Sequence, residues 1–112
     1  MQDVPKRIKR LVRDWAAIAH ERELRKALSE LQVQFDRWQR GDITAFELND
    51  LVHRFHRDTS REIWKRYATT HLEPAVASAV AAGLLRKEEL PVELVQHIAG
   101  LIELYQDDFS AS

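Results

Sequence analysis

Residues 5–40 read PKRIKRLVRDWAAIAHERELRKALSELQVQFDRWQR, a stretch with no glycine and with proline only at its first position. Pro5 suits the first turn of a helix, where a missing N–H costs nothing, and Gly41 is the first obvious stop. A single helix over this span would be about 54 Å long, against a diameter of roughly 35 Å for a compact domain of this size. The apolar phase shows where the conflict sits. At about 100° per residue, Ile8, Leu11, Val12, Trp15, Ile18 and Ala19 share one face, while Leu24, Leu28, Leu31, Phe35 and Trp38 share the face about 180° away. The stripe changes sides between His20 and Glu23. Two arrangements satisfy it: a break near His20, or an unbroken helix whose halves bury opposite faces against different partners. In the second, residues 1–22 form a projecting dimerisation arm. Ile8, Leu11, Val12 and Trp15 then need another surface, for which a second copy of the chain is the simplest source.

The later elements are better punctuated. Thr44 and Glu47 have the spacing of a capping box, with Ile43 and Leu48 placed as a hydrophobic staple, so a helix begins at Ala45 with the stripe Leu48, Leu51, Val52 and Phe55. Thr59 and Glu62 repeat that spacing and predict a new helix carrying Ile63, Trp64 and Tyr67. Pro74 disfavours helical angles in the residue before it, which puts a turn over 70–73 and a fresh helix from Pro74. Residues 75–82, AVASAVAA, carry no charge, so this helix should be buried on all sides with its neighbours close. Gly83 fits a left-handed cap with Leu84 packing back. The last helix starts near Pro91, carries Leu94, Val95, Ile98, Leu101, Ile102 and Tyr105 on one stripe, and should fray from Asp107. The expected fold is all-α: one domain over residues 1–112, four to five helices, bundle-like, with a long N-terminal helix.

Composition bounds the rest. The chain has 112 residues, 45% of them hydrophobic and 31% charged, enough for one core and too apolar for a disordered tail. It contains no cysteine, which excludes disulfides, thiolate zinc sites and cysteine nucleophiles. No apolar run nears the roughly 20 residues that span a bilayer, and the polar, basic residues 1–9 lack the apolar centre of a signal peptide. A cytoplasmic protein is the expectation.

Net charge is -1, spread unevenly. Residues 1–40 hold ten Lys or Arg against six Asp or Glu, and residues 41–112 hold seven against twelve. Near-neutrality overall argues against a strong nucleic-acid binder, whose affinity rests on neutralising phosphates. Lys6, Lys9, Arg10 and Arg13 nevertheless form a basic face opposite Ile8, Leu11, Val12 and Trp15. Such a face is a solvated surface first, and a dock for RNA or DNA second. Membrane attachment is not expected, because the apolar face is short and no lipidation motif accompanies it.

Candidate chemistry is sparse. Asp50, His53 and His56 recur at three-residue spacing and form the best metal constellation, yet they lie off the apolar stripe, toward solvent. A dimetal helical bundle needs paired Glu and His on two helices, and only Asp50 with His53 offers that spacing. Arg66 and His71 form an Arg-x4-His pair that resembles the motif of the HEPN ribonucleases, small helical dimers that set such residues from both subunits around a scissile phosphate. The resemblance covers two residues, and Tyr67 follows the Arg where that family usually has a polar residue. It implies an imidazole moving a proton from a ribose hydroxyl and a guanidinium stabilising phosphorane charge. Composition alone yields about 1.6 such pairs at the permitted gaps. Phe35, Trp38, Phe55, Trp64 and Tyr67 alternate with arginines in a way that can stack bases, but each sits on its helix's apolar stripe and reads as core. No motif calls for a cofactor. The leading expectation is a non-enzymatic interaction or regulatory protein acting through helix surfaces as a homodimer; the rival is an RNA-directed protein, either HEPN-like or a binder using the basic helix.

Overall fold

The N-terminal stretch settles its length conflict by making the molecule long. The computed structural model describes residues 4–111, and helix α1 runs unbroken over Lys6–Gln39. That is about 51 Å of helix, and it sets the long dimension of a molecule measuring 58 × 27 × 22 Å. Then come α2 (Ala45–Arg54), α3 (Ser60–Tyr67), α4 (Glu73–Ala81), one 3-10 turn over Lys87–Glu89, and α5 (Val92–Ala111). The described residues hold no strand: the fold is all-α, a single bundle-like domain with a long N-terminal helix.

Helix α1 is a spine shared by two lobes. Its first half joins α4 and α5, the most extensive helix pair, in the main core of Ile8, Val12, Ala16, Ala19, Val76, Ala77, Val80, Leu85, Leu94, Ile98 and Ile102. Its second half pairs with α2 and α3 as a hairpin whose buried residues are Ala27, Ile43, Leu48 and Ile63. The face assigned to a projecting arm is thereby occupied within the chain. Ile8 and Val12 are in the core, and Leu11 and Trp15 pack against it. The halves of α1 do not bury opposite faces either. The buried residues Ile8, Val12, Ala16, Ala19 and Ala27 advance by threes, fours and eights along one side of the helix. Alanines mark this side because α4, α5 and α3 approach there, and small side chains permit close backbones.

Local chemistry explains most boundaries. The Thr44 side chain accepts from the Glu47 N–H at 3.1 Å, and the Glu47 carboxylate accepts from the Thr44 N–H at 3.1 Å, so the capping box at α2 is complete. The second capping box does not form. Thr59 has helical angles and no side-chain cap, because α2 passes through a π turn over Phe55–Thr59 straight into α3. The extra residue in that turn rotates all of α3 by about one position. A continuous α-helix carrying Leu48 and Phe55 inward would next bring in Glu62 and Arg66; after the turn, Ile63 and Tyr67 face inward instead.

Helix α4 starts with Pro74 in its first turn, and Ala75, Val76, Ala77, Ala79 and Val80 are buried, while Ser78 and Ala81 are half-buried and Ala82 is exposed, so the burial expected on all sides stops short of one edge. Gly83 closes it at φ +82°, with its N–H donating to the Val80 carbonyl and the Leu84 N–H to the Ala79 carbonyl. Helix α5 is assigned as far as Ala111, beyond Asp107. An ion pair seats the α4–α5 connection on the spine: Arg22 donates to both Glu89 carboxylate oxygens at 2.8 Å and to the Leu84 carbonyl at 2.9 Å. These bonds, with one from the Arg86 N–H, hold the Glu89 carboxyl down at about 2.

Candidate interaction surface

The second half of α1 presents Leu24, Leu28, Leu31, Phe35 and Trp38 at steps of four, three, four and three. This is the d-a-d-a-d row of a coiled-coil seam over two heptads. The hairpin covers only one edge of it, the edge beside Ala27. Leu28 remains 52% exposed, Phe35 39% and Trp38 40%. On α3, Trp64 is 63% exposed. Phe35, Trp38 and Trp64, expected in the core from their stripes, are therefore surface residues along much of their area.

The two flanks of the hairpin differ in chemistry. One is a charged trough with Ala27 and Ile63 at its base and Glu23, Lys26, Glu30, Asp58, Glu62 and Arg66 around it. The opposite flank is apolar. Leu24 and Leu28 lie round α1 from Glu23, Lys26 and Glu30, and Trp64 lies round α3 from Glu62 and Arg66. Leu24 and Leu28 line a shallow groove there, bordered by Glu21, Arg25, Ser29 and Gln32.

The surface as a whole is too large for the mass. A compact monomer of 13.1 kDa exposes about 6,400 Å², whereas this chain exposes 8086 Å². The radius of gyration is 17.3 Å, against about 13 Å for a compact chain of this length. The excess, about 1,700 Å², is of the size one protomer buries in an obligate homodimer.

The other candidates disperse. Lys6, Lys9, Arg10 and Arg13 are exposed together at the start of α1, while the adjacent Arg7 leaves that group to donate to Glu93 of α5 at 2.8 Å. Asp50 is held by Arg54, whose Nε donates to it at 3.0 Å, and this bond keeps the Asp50 carboxyl below its usual range. His53 and His56 are exposed beside it. Among the described residues no three His, Asp or Glu side chains converge as metal ligands. Arg66 is ion-paired to Glu23, and the Tyr67 hydroxyl donates to the same carboxylate at 3.0 Å. Burial, then the Glu23 charge, raises the Tyr67 hydroxyl's pKa. His20 stacks on the Tyr67 ring at 4.5 Å. His71 lies exposed in the turn before α4, where its N–H donates to the Thr69 hydroxyl.

The open seam is within reach of the sequence, because its five residues form one stripe. Its three-four spacing is that of a narrow helix-packing seam, and the same spacing serves whether the seam is covered or open. Compared with known proteins, the chain matches no family model, no curated protein and no solved structure.

Proposed function

We propose that the protein is a small non-enzymatic interaction or regulatory protein that works through helix surfaces as a homodimer, with the hairpin lobe as its contact. One observation carries this reading: a two-heptad apolar seam lies half covered on a chain whose surface exceeds that of a compact monomer by the area of such an interface. A lone helical hairpin buries little, and Leu28, Phe35, Trp38 and Trp64 add little to its stability until another apolar surface covers them. A second copy offers the matching seam at no extra requirement. The HEPN-like alternative draws no support from Arg66, whose guanidinium is engaged by Glu23 and would have to leave it to meet a phosphate.

The test is the double substitution Leu28→Glu with Phe35→Glu, followed by size-exclusion chromatography and circular dichroism. Loss of the dimer peak with helicity retained is the expected result. A variant that still elutes with the wild type as a dimer overturns the assignment of the seam.

A further inference from the structure

We infer that the second copy docks antiparallel, the two hairpin lobes closing a four-helix bundle about a two-fold axis beside Gln32; this rests on the homodimer reading above. The direction follows from charge. Eighteen residues make about five turns of helix, so Lys6, Arg10, Arg13 and Ala17 stand on the same azimuth of the unbroken α1 as Leu24, Leu28, Leu31 and Phe35. All four are exposed. A parallel pair in register sets Lys6 against Lys6, Arg10 against Arg10 and Arg13 against Arg13 along the line of the seam, opposing like charges. An antiparallel pair instead carries each basic stripe past the end of the partner's α1, which stops at Gln39. There it lies beyond the partner's hairpin turn, Arg13 by about 12 Å, in water and with no copy of itself opposite.

Size and symmetry fix the register. Leu28 and Phe35 are one heptad apart and both open, and setting each opposite the other's copy centres the contact between Leu31 and Gln32. A residue on a two-fold axis meets itself, so it has to be uncharged. Leu31 and Gln32 are. In the same register Arg25 comes opposite Trp38, a cation beside a half-exposed indole. Arg25 is already balanced by Glu21 at 3.0 Å, and the remaining positions on that edge, Gln32 and Gln39, carry no charge to repel their copies. Trp64 stands exposed on the same flank, on α3.

Because the chain has no cysteine, single cysteines report the register directly. Arg25→Cys, Gln32→Cys and Gln39→Cys are each treated with a short bismaleimide in the full chain, alone and in mixtures exchanged beforehand. In the antiparallel dimer two copies of position 25 lie about 20 Å apart along the axis, and so do two copies of position 39. Positions 25 and 39 of different chains are within about 2 Å axially, as are two copies of position 32. Expected are strong self-cross-linking at position 32, at least tenfold less at 25 or 39 alone, and recovery in the 25 with 39 mixture. Self-cross-linking at both 25 and 39 shows a parallel pair and overturns this inference while leaving the homodimer. A dimeric mass with no cross-link at any position places the interface elsewhere and overturns it too. A monomeric mass overturns the homodimer reading itself.

Discussion

Leu94 and Leu104 lie ten residues apart on α5, the first fully buried in the main core and the second 56% exposed. Truncating each to alanine removes the same atoms, so the difference between the two variants measures burial alone. Leu94→Ala loses the transfer free energy of its methyl and methylene groups and leaves a cavity among α1, α4 and α5, which together cost about 3–5 kcal/mol. Unfolding a 112-residue chain carries an entropy of about 0.24 kcal/mol/K, so that loss lowers Tm by roughly 12–20 °C. Leu104→Ala removes surface already in water and shifts Tm by less than about 3 °C. The assay is thermal unfolding followed by circular dichroism at one fixed protein concentration, because self-association makes Tm depend on concentration. Two variants melting within about 3 °C of each other would refute the core assigned to α1, α4 and α5.

The two lobes make further expectations. Gly83→Ala places a side chain at φ +82° with open space around its Cβ, so it destabilises through backbone strain alone, by about 1–2 kcal/mol; Gly100→Ala, helical and equally open, gains about 0.5–1 kcal/mol, and a Gly83 variant that melts higher, or a Gly100 variant that melts lower, contradicts the assignment at that glycine. Glu89 has its pKa lowered from 4.5 to about 2 by Arg22 and the Arg86 N–H, so the stability it lends is complete above about pH 5 and fades as the pH falls toward 2. The Tm difference between wild type and Arg22→Ala should accordingly be largest near neutrality and shrink on acidification; a difference constant from about pH 2 to 6 rules the pair out as its source. Purified protein is expected not to cleave structured or unstructured RNA in single-turnover assays, and cleavage that vanishes in His71→Ala would restore the HEPN-like reading.

Residue types with one structural use are easily read. Thr44 and Glu47, Pro74, Gly83 and the uncharged run before it each form the element expected of them, because a cap, a fixed φ or a lack of charge leaves few alternatives. The spine is harder. Periodicity weighs large apolar residues, and on α1 the side that packs is marked by Ala16, Ala19 and Ala27, whose value is their smallness. The row of leucines and aromatics then resembles a buried face when much of it is open. The π turn also leaves a trace: Phe55 and Ile63 are eight apart, which in a continuous helix turns one about 80° from the other, and a new cap at Thr59 accounts for that slip as readily as an inserted residue does. Trp64 is exposed with or without that turn, standing about 100° from the inward Ile63 after it. For Asp50 with His53 and His56, and for Arg66 with His71, spacing does not reveal that Arg54 and Glu23 engage one member of each group.

The homodimer is the claim on which the functional account stands, and sedimentation equilibrium of the unmodified chain tests it most directly. At tens of micromolar the account predicts a mass of about 26 kDa, twice the 13.1 kDa of one chain. A mass of 13.1 kDa across that range would contradict it and leave Leu28, Phe35, Trp38 and Trp64 on the surface of a monomer.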